Sequence, residues 1–244
     1  MRSNQPEMPL SPAQSVTGPT RSTTAAVCWI AAAVVWFLAE AVAASAFPHY
    51  SYATNYISDL SVPDVEVLSG RAIDSPLHPL VTTAFVVQGL LFALGAVCLT
   101  RQARFPQRRI FITLASIHAL GMVMIAAIHG GRQNVELGLD TFHMLGAFAA
   151  FIAGNLTAVV AGVSALRVGV SRLIGWGSVI LGVVGLLGLV MLQVDARTPS
   201  MMLLPDGFWE RITFYAILIW QAAMGGAMLL RSHGRPLQVL DSGG

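Results

Sequence analysis

Histidines and acidic residues that could bind a metal or act as acids and bases cluster at the ends of apolar segments. These ends are predicted to lie on the same side of a membrane. His129 ends one such segment, His143 begins the next, and the short connection between them carries Asp140. His78 and His49 stand at the same level. Imidazole and carboxylate groups bind zinc and also act as general acids and bases. We therefore take His129, His143 and Asp140 as the candidate metal residues. Zinc is the one cofactor that this pattern suggests. No cofactor is expected, however, because histidines at a membrane surface can simply form hydrogen bonds with water and lipid headgroups.

A second group of polar side chains lies deeper in the apolar segments. Glu40 falls seven residues before the end of the first segment, which places it about 10 Å below the surface at about 1.5 Å per residue. His118 lies near the middle of the third segment. Ionisable groups in a membrane are costly and usually face the protein interior or water. Glu40 and His118 are thus the candidate catalytic or proton-relay residues. The alternative for Glu40 is a structural hydrogen bond to Gln88 or Asn155.

The connection after the first apolar segment forms a compact polar patch. Three tyrosines at 50, 52 and 56 are each typical of headgroup anchors. In this connection we predict a short interfacial helix with Ile57 and Leu60 inserted, able to cap the bundle or gate a cleft. The candidate ligand-binding residues at this end are Tyr50, Asn55, Ser58, Asp59, His78, Glu210 and Arg211.

Arg211 is the least expected of these residues. It lies in the first turn of the last apolar segment, where a cation opposes the helix dipole, whereas Asp206 could cap that helix. Arg211 therefore needs an anionic neighbour, and the candidates are Glu40, Asp59 and a lipid phosphate. A structural ion pair is slightly favoured over a phosphate site.

These residues must be positioned by membrane-spanning helices. The chain has 244 residues, of which 55% are hydrophobic and 11% are charged. Average soluble domains carry about 25% charged residues, so this composition excludes a soluble enzyme, a disordered chain and a nucleic-acid-binding domain. The prediction is an all-α bundle of six transmembrane helices, each long enough to cross about 30 Å of hydrocarbon. The six segments cover 24–47, 77–99, 110–129, 141–163, 173–192 and 208–230.

Small residues predict where these helices pack closely. Gly146, Ala150 and Gly154 share one face of the fourth segment, and Ser178, Gly182 and Gly185 do so on the fifth. His143 lies on the same face as Gly146. The short connection makes the third and fourth segments antiparallel neighbours.

Charge sets the predicted orientation. Ten arginines lie on one side of the predicted membrane and four on the other. The positive-inside rule then places both termini in the cytoplasm and the first, third and fifth connections outside. Residues 1–22 form a polar tail that we predict to be disordered, 23–231 the membrane domain and 232–244 a second tail. A cleaved signal peptide over the first segment is the less favoured alternative.

All 14 basic residues are arginine. That bias fits a GC-rich genome and points to an actinobacterial source. We expect the six-span bundle to lie in a bacterial plasma membrane. The two cysteines, Cys28 and Cys98, lie near the predicted cytoplasmic ends of their helices, so a disulfide is not expected.

Several motifs resemble the domain-of-unknown-function family 998. They are the Asn55–Leu60 run Asn-Tyr-Ile-Ser-Asp-Leu, Ser75-Pro76 ahead of Gln88-Gly89, the 143–147 run His-Met-Leu-Gly-Ala and the 207–211 run Gly-Phe-Trp-Glu-Arg. The resemblance covers nearly the whole chain after residue 24. It implies a prokaryotic integral membrane protein with six helices and without an assigned activity. Thr82 and Thr83 stand where many relatives are expected to have asparagine.

Three functions remain open on this sequence. The first is a non-enzymatic module that binds a lipid or other apolar ligand in an outward-facing polar cleft, or assists a partner membrane protein or a second copy. The second is an intramembrane enzyme for a lipid or isoprenoid substrate, with Glu40 as acid or a metal at His129 and His143. The third is a small proton-coupled transporter, against which the lack of inverted repeats argues mildly. Membrane lipids are the expected partners, and nucleic acid is not.

Overall fold

The structure, a computed structural model, describes residues 21–101, 105–198 and 203–233. Six helices in these residues are long and apolar enough to cross a membrane. The predicted all-α, six-span architecture is confirmed, and the only sheet in the described residues is a small hairpin. The helices are α1 (Arg21–Ala46), α2 (His78–Thr100), α3 (Arg108–Ala127), a short α4 (Arg132–Glu136), α5 (Asp140–Arg167), α6 (Arg172–Asp195) and α7 (Asp206–His233).

The helices extend slightly beyond several of the predicted apolar segments. α1 already begins at Arg21, within the stretch 1–22 that the sequence analysis assigns to the polar tail, and the apolar span within it begins at Ser22. α7 continues to His233. Helical hydrogen bonding continues into polar flanking residues, which a hydropathy pattern cannot register. The remaining residues of the two predicted tails lie outside the described residues.

The six spans form a closed ring in which each helix packs against the next span along the chain and α7 returns to α1. α3 and α5 are antiparallel neighbours, as predicted. A Cβ on Gly146 would lie 2.8 Å from Met124 Cβ, and one on Gly182 would lie 2.7 Å from Val159 Cγ2. These are closer than ordinary packing permits. The predicted small-residue faces therefore do bring α3, α5 and α6 into close approach.

Large aromatic side chains fill the middle of the ring. Trp29, Trp36 and Trp220 are fully buried there with Phe92 and Phe214. Their rings pack in tilted and edge-to-face pairs at centroid distances from 4.8 to 5.8 Å. Large apolar side chains also cover the outside of the helices, as a lipid-facing surface requires.

One end of the bundle, which we name the capped end, holds the connections 47–77 and 128–139 and the described residues 196–198 and 203–205. It is the end that the charge pattern predicts to face outward, and this orientation stays a prediction. The first connection contains a 3-10 helix (Ser58–Ser61) and a two-stranded antiparallel hairpin, β1 (Glu66–Leu68) and β2 (Arg71–Ile73). The short helix was predicted, whereas the hairpin was not.

The short helix inserts into the protein and not into lipid. Ile57 and Leu60 are at most 1% exposed and belong to the same apolar core as the spans. The prediction that they insert into the membrane surface is therefore wrong. Burying them in the bundle removes their apolar surface from water equally well, and it also holds the connection over the helix ends.

Candidate functional site

Arg211 is the centre of a buried polar network at the capped end. Its Nη1 donates to the carbonyl oxygens of Asn55 at 2.7 Å and Gly207 at 2.9 Å. Its Nε donates to Glu40 Oε1 at 3.2 Å, and Nη2 donates to the Tyr50 hydroxyl and lies 3.1 Å from Glu40 Oε1. All three guanidinium nitrogens are thus engaged within the protein. Of the candidate neighbours, Arg211 pairs with Glu40, and no donor is left for a phosphate.

Glu40 is the anion of this network. Its Oε2 accepts from Tyr215 Oη at 2.7 Å and from Trp36 Nε1 at 3.1 Å, while Oε1 faces Arg211. Gln88 and Asn155, the partners expected from sequence, instead form hydrogen bonds with other residues, Gln88 with His118 and Asn155 with the carbonyl oxygens of Phe151 and Thr213. Glu40 is 2% exposed, and each of its oxygens has a strong donor. It is therefore one half of a buried ion pair and not an isolated acid.

A second ion pair fixes the first connection. Arg71 on β2 reaches Asp59 with Nε at 2.9 Å from Oδ2 and Nη2 at 3.2 Å from Oδ1. Asp59 also accepts from Asn55 Nδ2 and from the backbone N–H of Tyr56. The Arg71 guanidinium lies 4.2 Å from the centre of the Tyr56 ring. Despite burial, the Asp59 carboxylate raises the pKa of Arg71, so this cation stays charged.

The first turn of α7 holds the same connection from the other side. Glu210 accepts a hydrogen bond from the backbone N–H of Ile57. Tyr56 donates its hydroxyl to Asp206 Oδ2 at 2.7 Å. A Cβ on Gly207 would overlap the carbonyl oxygen of Asn55, so only glycine lets the two backbones approach this closely. The 207–211 motif is therefore a docking surface for the 55–60 motif.

The tyrosines are structural donors at this end and not uniformly headgroup anchors. Burial raises the pKa of Tyr50 and of Tyr56 far above the ordinary value, with Arg211 and Arg71 respectively opposing the shift. Both hydroxyls stay protonated at neutral pH and bond within the protein. Tyr52 is 46% exposed and alone keeps the exposure expected of an anchor.

The histidines of the capped end do lie near one another. Burial lowers the pKa of His129, while Asp64 and Glu66 raise it and His78 lowers it further. Its Nδ1 accepts from the N–H of Gly131 at 3.2 Å. His143 Nδ1 donates to the carbonyl oxygen of Ile128 at 2.6 Å, with His129 and Asp140 close by.

The predicted zinc residues are therefore adjacent, yet each histidine has one ring nitrogen engaged by backbone. Among the described residues, no group of three or more His, Cys, Asp or Glu side chains is arranged to hold a metal ion. A zinc site formed by His129, His143 and Asp140 stays a prediction.

His118 belongs to a separate network in the middle of the bundle. It is fully buried, and its Nδ1 donates to the carbonyl oxygen of Ala150 at 2.8 Å. In the neutral ring Nε2 then needs a donor, so the Gln88 amide at 3.1 Å is best assigned with its NH2 group toward His118. The Gln221 amide is then assigned with its NH2 group toward the Gln88 amide oxygen. In this arrangement the Gln221 NH2 group, which otherwise has no partner, donates a hydrogen bond. The structure does not bring His118 and Glu40 together.

An apolar cleft of about 150 Å³ lies between α5, α6 and the first turn of α7, beneath the 3-10 helix. This volume holds several waters or a segment of one hydrocarbon chain, since a water needs roughly 10–15 Å³ measured in this way. Its wall is made by Met144, Ala147, Phe148, Phe151, Leu189, Leu192 and Ala196, and its polar lining by Tyr56, Ser58, His143, Gln193 and Glu210. Met144 is 44% exposed, so the cleft reaches the surface of the bundle.

The cleft divides the predicted ligand-binding residues into two groups. Ser58 and Glu210 line it, whereas Tyr50, Asn55, Asp59 and Arg211 lie in the polar network. His78 is in neither group and neighbours His129.

Sequence reasoning missed Trp36, Tyr215 and Arg71 as partners in the network. Trp36 precedes Glu40 by four residues, and Tyr215 follows Arg211 by four, so each pair shares a helix face. That spacing could have identified both residues. Arg71 gave no such signal, because it meets Asp59 only through the unpredicted hairpin.

Comparison with known proteins agrees with the resemblance seen in the sequence. Residues 30–227 match the family described as "Protein of unknown function (DUF998)". No curated protein and no solved structure matches the chain. The match spans the six helices, the polar network and the cleft. The chain belongs to the DUF998 family of proteins of unknown function.

Proposed function

We propose that the protein binds the hydrocarbon chain of a lipid or similar amphiphile in the cleft between α5, α6 and α7. The observation that carries the proposal is the cleft itself, which has an apolar wall within two membrane-spanning helices and polar groups at its mouth. Pockets for small ligands are typically of this kind, largely apolar with a few oriented polar groups. The first connection covers the mouth and is held there by Glu210, Arg211 and Gly207.

The proposal places the protein in a bacterial plasma membrane with its capped end outward, so that the ligand enters from the outer leaflet. A role beside a partner membrane protein or a second copy is compatible with it. The acid-catalyst alternative is less favoured, because Glu40 lies outside the cleft and its oxygens accept from Arg211, Tyr215 and Trp36. A Glu40–His118 proton relay is less favoured too, because those residues belong to separate networks.

The test is photo-crosslinking of the protein in lipid nanodiscs with a phospholipid that carries a diazirine on one acyl chain. We expect labelled peptides to map to the cleft faces of α5 and α6, near Phe148 and Leu192. In Ala147→Trp an indole would fill the cleft, so this labelling should be lost. Leu145→Trp, on the same helix but 56% exposed, is the matched control and should keep it. Labelling spread evenly over all outward helix faces, and unchanged in Ala147→Trp, would refute the proposal.

A further inference from the structure

Glu210 is the only acidic side chain among the described residues that line the cleft. It is 7% exposed, so it is more than nine-tenths buried. Its Oε2 accepts from the backbone N–H of Ile57, whereas Oε1 has no hydrogen-bond partner within the described residues. A carboxyl oxygen of a cleft-lining residue that accepts no hydrogen bond from the protein is an acceptor that a ligand in the cleft can use.

The neighbouring cations form their ion pairs with other carboxylates. Arg211 follows Glu210 in sequence, yet it pairs with Glu40. Arg71 pairs with Asp59. Arg197, near the rim on the α6 side, donates Nη1 to the carbonyl oxygen of Gln193 and is exposed. Within the described residues, therefore, Glu210 forms no ion pair.

Of the other polar groups at the mouth, His143 and Tyr56 present acceptors, whereas Ser58 and Gln193 can donate as well as accept. Because His143 donates Nδ1–H to the carbonyl oxygen of Ile128, the Nε2 of its neutral ring is an acceptor. Tyr56 donates its hydroxyl hydrogen bond to Asp206 Oδ2, so its oxygen can only accept from a ligand. A head group that donates hydrogen bonds and carries positive charge complements this mouth, whereas an anionic head group would meet the Glu210 carboxylate.

Resting on the proposed function, we infer that the ligand of the cleft carries a cationic, hydrogen-bond-donating head group, a primary ammonium, which binds Glu210 Oε1. The hydrocarbon chain then extends along Phe148, Leu189 and Leu192. Charge-assisted hydrogen bonds are roughly twice as strong as neutral ones. They discriminate most strongly between cationic and anionic head groups where water is excluded, because the low dielectric strengthens the interaction.

The experiment compares two photoreactive probes of equal chain length, a long-chain primary amine and the corresponding fatty acid, each with a diazirine at the same carbon. Both are added to the protein in nanodiscs of neutral phospholipid. We expect the amine to label the cleft about tenfold more than the acid, which corresponds to one charge-assisted contact. In Glu210→Gln, which keeps the size of the side chain and the acceptor for Ile57, this preference should disappear. Leu145→Trp should retain it.

The outcomes separate the two proposals. If both probes label the cleft equally, or the acid labels it more, or Glu210→Gln keeps the preference, the cationic ligand is refuted while lipid binding stands. If neither these probes nor the phospholipid label the cleft, the proposed function itself fails. The wild-type comparison of amine with acid decides the question even if Glu210→Gln does not fold.

Discussion

Arg211 and Glu40, 171 residues apart in the chain, form a buried ion pair in which Nη2 lies 3.1 Å from Oε1. This pair joins the first and last spans of the ring, and Arg211 simultaneously binds the backbone of the first connection at Asn55. A single guanidinium thus closes the helix ring and positions the structure that covers the cleft. The following predictions test that arrangement and the packing that supports it.

Removing one partner of the ion pair should destabilise the protein strongly. Arg211→Ala leaves Glu40 buried without a cation, and we expect a loss of about 3–5 kcal/mol in the free energy of unfolding. Glu40→Ala leaves Arg211 in the same situation. Because the two losses arise from one interaction, the double variant should lose clearly less than their sum. Thermal unfolding in detergent measures this, with exposed Arg231→Ala as the control. Strictly additive losses would show that the pair does not act as a unit.

Gly185 on α6 should not tolerate alanine. A Cβ there would overlap Asn155 Oδ1, and Asn155 is held by Nδ2 bonds to the carbonyl oxygens of Phe151 at 2.9 Å and Thr213 at 3.1 Å. Overpacking of this kind costs typically about 1–3 kcal/mol, so Gly185→Ala should lower the unfolding temperature. Gly177→Ala is the control on the same helix, because a Cβ there meets nothing within 4 Å. Equal behaviour of the two variants would contradict the close approach of α5 and α6.

Gly207→Ala should loosen the first connection while the spans remain folded. The added methyl group would overlap Asn55 O and lie 2.8 Å from Ala53 O, so the chain there must move away from α7. We expect faster hydrogen exchange over 50–61 and easier proteolysis of this connection. Gly226→Ala, on the same helix with open space around it, should leave exchange unchanged. Undisturbed protection in Gly207→Ala would mean that the 207–211 motif does not hold the connection.

The region around His129 should become less stable in acid. Burial lowers the pKa of His129 in the folded protein, while Asp64 and Glu66 favour its charged form and His78 opposes it. The unfolded chain therefore takes up the proton first, at about pH 6.5, and stability falls as the pH drops below that value. Protonation also removes the acceptor for Gly131 N–H.

Hydrogen exchange of residues 129–137 across this pH range measures the effect. His129→Gln should flatten the pH dependence, because its amide oxygen can accept without titrating. The control is His49→Asn, since asparagine tolerates the left-handed backbone that exposed His49 adopts at φ 59°. A steep acid dependence that survives in His129→Gln would assign the loss of protection to another group.

The sequence by itself determined the six helices, their order and their close-packing faces. Long apolar segments leave the backbone no alternative to helix in lipid, and small residues four apart mark where helices can meet. It also indicated that Arg211 needs an anion, because a cation at a helix N-terminus is unfavourable. These conclusions depend on local pattern and on general physical requirements, which a sequence displays directly.

Only the tertiary structure decided which groups meet. Of the anions open to Arg211, Glu40 is its partner because α1 and α7 are adjacent across the closure of the ring. Asp59 is occupied instead by Arg71, through a hairpin without a clear sequence signal. The cleft likewise arises where α5 and α6 leave space beneath the first connection. Pairings and cavities depend on long-range placement, so residue types and spacing alone could not specify them.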